Sequence, residues 1–498
     1  MKNKFDNRYE EIIEETTSSY DMNYMNKKLK DILGNKNLQQ GQKVAGVSEI
    51  IKEYFLETSN IFTIRESKQT EPEMWIYKQG IYVPCGETYI KEEVMNILSN
   101  NFSSGYVNAV LKKLQASTFI CIEEFFKEDD PYILPIANGL LNVKTLEVTK
   151  FNPEKRFFSK INAMYIKGAS CPKIKKFISE VVREQDVPLI QEMFGFCLVR
   201  KYFLKKAYML LGRTDAGKTK LLQLLHSFLG DKNCSSVSLH RLMENNFMTW
   251  KLHGKLANIS SESSSKSILN DDLFKSLVGD DALTADRKFK EAIGFFNYAK
   301  ILNACNELPK AYTYDLAFFN RWILTTFPNQ FKVKKEYDLC SEEEKKKDKI
   351  FLANPNILDD LIDIGEMTGL LNWALEGLQR LLEKGEFSYN KTAEEIKIEW
   401  LRESNSFEAF FIDSMEETDN YDFFESKEEI KNEYKKYCKK HKLKIESDKV
   451  IKHNLERDHG AYEKRISVKE EVDDDEQATY NRERVWKGVR FNEKINNQ

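Results

Sequence analysis

The chain has 498 residues, 41% of them hydrophobic and 12% aromatic, enough for about three domains with real cores. Its net charge of −3 gives no global basic field, so any nucleic-acid signal must be local. The eight cysteines are scattered without a C-x-x-C pair, and the six histidines do not cluster with them. This argues against a zinc site and a disulfide framework and for a reducing, cytoplasmic interior. No apolar run approaches a membrane span and the first residues carry no signal-peptide core, so no membrane partner is expected.

Residues 1–60 are highly charged, and Val47, Ile51, Tyr54 and Phe55 mark one short amphipathic helix. Trp75-Ile76-Tyr77, a Gln79-Gly80 turn and Ile81-Tyr82-Val83 spell a small hairpin, and Asn138-Gly139 signals another turn between apolar stretches. Residues 172–200 are helical in spacing. Ala207-Tyr208-Met209-Leu210-Leu211 suits a buried strand; Leu221, Leu222, Leu224, Leu225, Phe228 and Leu229 follow at helical spacing, with Gly230 as the C-cap. Leu256–Ser260 and Ala299–Cys305 are strand-like runs, and Ile323–Phe327 is a third. The charged stretch 336–349 predicts a solvated helix face or a loose loop, residues 357–384 a helical lid or packing region, and Ser388–Glu395 a break. From Lys427 to Lys469 there are 14 Lys/Arg against 8 Asp/Glu, interleaved with Tyr434, Tyr437 and Tyr462. Helical text at 427–441 and 447–457, then strand text at 461–468 and 483–491, predicts a small winged-helix unit, with the acidic run Glu470–Glu476 as a wing-tip loop. Clustered cations with aromatics fit a DNA footprint, against an ordinary charged helical tail.

Between the first strand and its helix stands Gly212-Arg213-Thr214-Asp215-Ala216-Gly217-Lys218-Thr219, a complete G-x-x-x-x-G-K-[ST] P-loop. Backbone N–H groups and a helix N-terminus cradle phosphates there; Lys218 reaches the β- and γ-phosphates of ATP and the Thr219 hydroxyl ligates Mg²⁺. Glu262, at the tip of the strand taken to lie beside the P-loop, is the expected residue for polarising the attacking water, against a surface glutamate at a strand end. Asn306 is placed to sense the γ-phosphate, or simply opens a turn before Pro309. Arg321 suits an arginine finger, or equally a surface salt bridge.

In their order, the P-loop, Lys255–Glu262, Asn306-Glu307-Leu308-Pro309 and Ala317–Arg321 resemble superfamily 3 helicases, in particular the helicase half of phage/plasmid primase-helicases. Trp75–Pro84 and Ile136–Leu141 are similar to the poxvirus NTPase-primase-type domain that precedes such cores. The resemblance implies an α/β fold with an AAA+-type P-loop ATPase core over 201–335. Around it are expected a helical segment at 1–60, a helical/mixed N-terminal domain with linker helices at 61–200, a helical lid at 336–395 and a winged-helix-like DNA-binding domain at 396–498. It further implies a homo-oligomeric ring, usually a hexamer, with Arg321 acting in trans, and 3′-to-5′ translocation on DNA. Arg287, Lys288, Phe289 and Lys290 match a hairpin that projects into the ring channel and grips single-stranded DNA, where the residues alone favour a solvated basic turn. Thr219 and Glu262 are the residues expected around Mg²⁺, although Ser260 and Ser261 stand where the family often has a second acid. A DNA helicase serving the replication of a virus, plasmid or mobile element is the expectation, with a separate primase or polymerase as partner. The alternative is an origin-binding initiator that melts DNA locally and never travels. Only about 60 residues precede the first recognisable domain, which argues against priming by this chain.

Overall fold

A computed structural model describes residues 21–65, 70–127, 130–261, 271–287, 290–309, 315–420, 423–441, 443–469 and 480–492. The first core is mainly helical. Helices α1 (Met22–Gly34), α2 (Gln40–Thr58), α3 (Gly86–Leu98) and α4 (Ser104–Ser117) surround the antiparallel sheet of β1 (Ile61–Ile64), β2 (Glu73–Lys78) and β3 (Ile81–Val83). The apolar stripe of Val47, Ile51 and Phe55 meets Met25 and Leu29 of α1 and Val110 and Leu114 of α4, all buried. The sequence reading thus found α2 and the β2–β3 hairpin, and α1 falls within the helical segment expected at 1–60 without having been singled out; its buried anchors are Met25 and Leu29. Helix α5 (Ile122–Phe125) adds Phe125 to a buried cluster with Ile64 and Tyr82.

A second antiparallel sheet, β4 (Ile133–Ile136), β5 (Gly139–Asn142) and β6 (Glu147–Thr149), turns at Asn138-Gly139. Helices α6 (Pro172–Val181) and α7 (Val187–Phe196) lead into the central unit. There β7 (Ala207–Gly212) is followed by α8 (Lys218–Leu229), then β8 (Cys234–Ser235), α9 (Leu239–Glu244), α10 (Asn246–Thr249), β9 (Ala257–Ser260) and α11 (Asp271–Leu277). An antiparallel hairpin, β10 (Ala282–Arg287) and β11 (Lys290–Phe296), precedes β12 (Lys300–Cys305), α12 (Leu316–Phe319) and β13 (Trp322–Phe327). Five strands form one parallel sheet in the order β13-β7-β12-β9-β8. All but the last residue of β7 and all of β9 and β12 are buried, because helices cover the sheet; this is why these strands read as unbroken apolar runs. The strand order corrects one expectation: β12, carrying Asn306 at its tip, lies beside the P-loop strand, and β9, which leads to Glu262, is one place further out.

Next come β14 (Gln330–Lys332), α13 (Lys334–Tyr337), α14 (Glu342–Lys347) and β15 (Ile350–Leu352), the expected charged stretch, where a Ser341/Glu344 capping box starts α14. Helices α15 (Ile357–Leu361) and α16 (Ile364–Lys384) return to apolar packing, and α16 crosses α7 at close range. A Cβ on Gly195 of α7 would lie 2.4 Å from the Ala374 carbonyl, so only glycine permits this approach. Helix α17 (Ala393–Ser404) docks by Trp400, whose Nε1 donates to the Pro309 carbonyl at 2.8 Å.

The last unit comprises α18 (Ser406–Ser414), β16 (Met415–Glu417), β17 (Glu425–Ser426), α19 (Lys427–His441), α20 (Asp448–His453), β18 (Tyr462–Lys469), β19 (Tyr480–Lys487) and β20 (Val489–Phe491). Its own core holds Phe407, Phe410, Tyr434, Leu455 and Trp486. The acidic run 470–476 lies outside the described residues.

A charge relay ties this unit together. His459 stacks on Phe411, its Nε2 is 3.2 Å from both oxygens of the buried Glu408, and its Nδ1 is 3.0 Å from Glu417 Oε1. Burial opposes the imidazolium, but hydrogen bonds and attraction from Glu408 and then Glu417 outweigh it and raise the pKa above the ordinary 6.5. A raised folded-state pKa means stabilisation that is complete below the unfolded value and is lost as pH rises through the folded one. Thermal melts are therefore expected to show the transition of this unit falling by on the order of a few degrees between pH 6 and pH 9. In His459→Gln that fall disappears; an unchanged slope in the variant rejects the assignment.

Candidate functional site

The P-loop sits at the carboxyl end of β7, where open parallel sheets present their loops to ligands. Gly217 opens α8 with φ +92°, a left-handed conformation that glycine adopts without strain, and Asp215 (φ 60°) is the other turn residue in that region. The turn aims the first N–H groups of α8 into the loop.

Lys218 folds back over this turn. Its Nζ donates to the carbonyls of Gly212 (2.5 Å) and Arg213 (2.8 Å) and to Asn306 Oδ1 (3.0 Å), while Asn306 Nδ2 donates to Thr214 Oγ1 at 3.3 Å. The structure thus joins two motifs 88 residues apart at one ammonium. Burial lowers the pKa of Lys218, and Cys305 and then Asp215 oppose this more weakly. The Cys305 thiol is itself pushed by burial to about 12, so at neutral pH it is uncharged and its opposition is felt only in alkali. No carboxylate lies within ion-pair distance of Lys218 among the described residues. A partly desolvated cation at a helix N-terminus without an anionic partner fits a polyphosphate. Thr219 is exposed in the first turn of α8, free to meet a metal ion held by such a ligand. Among the described residues no group of three or more His, Cys, Asp or Glu is arranged for a metal.

Sequence reasoning missed the segment that braces the loop. Phe331 N–H donates to the Asp215 carbonyl (2.9 Å), Gln330 Nε2 to the Thr214 carbonyl (3.4 Å), and Arg213 faces Asp348 at 3.5 Å. These contacts are tertiary, and no local pattern in Gln330-Phe331 announces them.

Arg321 is not brought to the P-loop. It precedes β13, whose register pairs Trp322 with Ala207 and Phe327 with Gly212, so Arg321 is level with Lys206 and six residue steps (206 to 212) of about 3.3 Å put its backbone about 20 Å from the loop of its own chain. Its Nη1 donates to the Ala317 carbonyl at 2.6 Å, its Nε is buried without a partner, and Lys206 beside it has its pKa lowered by burial and then by Arg321. Glu262, Lys288 and Phe289 lie outside the described residues, as do the side chains of Arg287 and Lys290. The backbone pairs Arg287 with Lys290 across a two-residue connection at the end of the β10–β11 hairpin. No helix among the described residues is long and apolar enough to cross a membrane.

Comparison with known proteins adds two family matches. Residues 8–183 match the family described as D5 N terminal like, and residues 210–321, which include the P-loop, Asn306 and Arg321, match a family of unknown function, DUF5906. No curated protein matches the chain. Among solved structures, an A-form apo structure of the NrS-1 C terminal region is similar at 13% identity, 87% of this chain, 98% of that chain and a TM-score of 0.41. An apo structure of the same region (305–718) matches at 14% identity, 87% and 97% coverage and a TM-score of 0.40. Likenesses this distant carry no functional conclusion.

Proposed function

We propose that the chain is a ring-forming, Mg²⁺-ATP-dependent replicative DNA helicase, built on an AAA+-type superfamily 3 core with a winged-helix-like C-terminal unit and moving 3′ to 5′. The observation that carries the reading is the Lys218–Asn306 hydrogen bond, which sets the strand-tip amide of β12 against the P-loop ammonium. Bound ATP with Mg²⁺ supplies the phosphoanhydride whose cleavage drives movement. Lys218 and the N–H groups of α8 neutralise phosphate charge, Thr219 orients the metal, and Asn306 holds Lys218 and Thr214 in register. Glu262 takes the proton of the attacking water, and the hairpin tip at Arg287–Lys290 engages the single strand.

The position of Arg321 supports a ring. It lies too far from its own P-loop to act in cis, and its guanidinium has no carboxylate partner among the described residues. In the assembly it meets the nucleotide of the adjacent copy, stabilising transition-state charge. Arg321→Ala and Lys218→Ala proteins are each expected to lose ATP turnover on the order of 10³-fold. Mixing them is expected to restore part of it at junctions where an intact Arg321 faces an intact Lys218. Absence of recovery, with mixed particles shown to form, rejects the finger.

A local-melting initiator has its own support. Lys435, Lys439 and Lys440 of α19 are exposed without carboxylate partners among the described residues, as a duplex-binding face requires. Strand displacement on a forked substrate that lacks any origin separates the two: a helicase unwinds it, an initiator does not.

A further inference from the structure

A cavity of about 350 Å³ opens between the N-terminal region and the amino end of the parallel sheet. It lies away from the P-loop, since its sheet-side residues Asn233, Leu256 and Tyr298 come just before β8, β9 and β12, whereas the P-loop follows the carboxyl end of β7. Arg156, Lys160, Arg200, Lys232 and Lys255 line it, with no carboxylate. The whole chain has 76 basic and 79 acidic side chains, so a cavity lined by five cations and no acid departs from its average surface.

The cations are aimed rather than neutralised. Arg200 Nη2 donates to the Asp130 carbonyl at 2.9 Å and the group lies over the Phe157 ring at 4.8 Å; Arg156 is tethered to the Glu124 carbonyl. Lys255 Nζ donates to the Lys232 carbonyl at 2.5 Å. None of Arg156, Arg200, Lys232 and Lys255 has a carboxylate at ion-pair distance among the described residues. Burial lowers the pKa of Lys255; Cys234 opposes this and the Lys251 and Lys232 ammoniums reinforce it, and a bound anion relieves the net penalty. Much of the remaining wall is aromatic. Trp75 meets Phe126 and Phe158 edge-on at centroid distances of 5.6 and 5.5 Å, and Tyr298 lines the sheet side.

We propose that this cavity is a second ligand site, taking a nucleoside phosphate with its base against the aromatic wall and its phosphate on Arg156, Arg200, Lys232 and Lys255. A lone phosphate has no use for the aromatic wall, whereas cations beside aromatic faces are what a base carrying a phosphate requires. The ligand has two sources, a free mononucleotide or the 5′-phosphorylated end of a single strand.

Binding is measured on the full chain carrying Lys218→Ala, which removes the P-loop from the readout. The probes are adenosine 5′-monophosphate, inorganic phosphate and short oligothymidylate with a 5′-phosphate or a 5′-hydroxyl. Saturable, salt-sensitive binding of the monophosphate assigns the free nucleotide. Preference for the phosphorylated oligonucleotide over its 5′-hydroxyl form, without monophosphate binding, assigns the strand end. In either case adding Lys232→Gln and Lys255→Gln is expected to weaken binding at least about ten-fold, while Lys346→Gln on exposed α14 leaves it unchanged. The exposed Lys232→Gln alone gives the same direction if the double change impairs folding. The proposal is overturned if neither nucleotide probe saturates, if inorganic phosphate binds equally well, or if a folded variant binds as tightly as its parent.

Discussion

Lys218→Ala is expected to lower ATP affinity by at least about 30-fold while leaving the melting temperature of the free protein unchanged or slightly raised. The two halves of this result have one cause. Removing a partly buried, hydrogen-bonded cation from its anionic partner costs about 2–5 kcal/mol, which is roughly 30- to several-thousand-fold in binding. Without nucleotide, the same ammonium is a desolvated charge with no anion, held only by the Gly212 and Arg213 carbonyls and Asn306. Its loss then relieves a penalty that its lowered pKa reports. Titration with a fluorescent ATP analogue, paired with thermal melts, measures both. A variant that binds ATP normally, or that melts far below its parent, sinks the assignment of Lys218 as a phosphate ligand.

The largest expected stability effect lies outside the site. Glu192 of α7 is fully buried, and its carboxylate accepts from Arg380 Nε (2.6 Å), the Ser388 N–H (2.7 Å) and the Ser388 hydroxyl (2.7 Å). Arg380 of α16 also donates to Gln191 Oε1 and to the Pro188 carbonyl, each at 3.0 Å. Arg380→Met leaves that carboxylate buried without its counterion and is expected to destabilise by about 3–5 kcal/mol in denaturant unfolding. Adding Glu192→Leu removes the stranded charge and is expected to recover much of the loss, because a buried ion pair often does no better than an apolar pair of similar volume. Equal instability of the single and double variants points instead to a packing role for the arginine stem. The pair matters to the site indirectly: α7 and α16 cross at Gly195, and α7 leads directly into β7 and its phosphate loop.

The sequence by itself determined the elements whose causes are local. The G-x-x-x-x-G-K-T turn, the apolar run of β7 and the leucine face of α8 follow from turn chemistry and periodicity within twenty residues. The β2–β3 hairpin does so as well, as do α19, α20, β18 and β19 of the last unit, whereas α18, β16 and β17 were not read from the sequence. Tertiary structure alone decided what depends on chain crossings. Strand order put β12 between β7 and β9, so the amide reaching Lys218 comes from Asn306, 88 residues away. Parallel pairing set Arg321 at the far end of the sheet from Gly212. The packing of the N-terminal region against the amino ends of β8, β9 and β12 gathered Arg156, Arg200, Lys232 and Lys255 around one cavity. Hydrogen bonds and hydrophobic spacing are written into neighbouring residues, but which strands lie side by side is settled by how helices from distant segments bury one shared sheet, a competition over the whole chain that no short window contains.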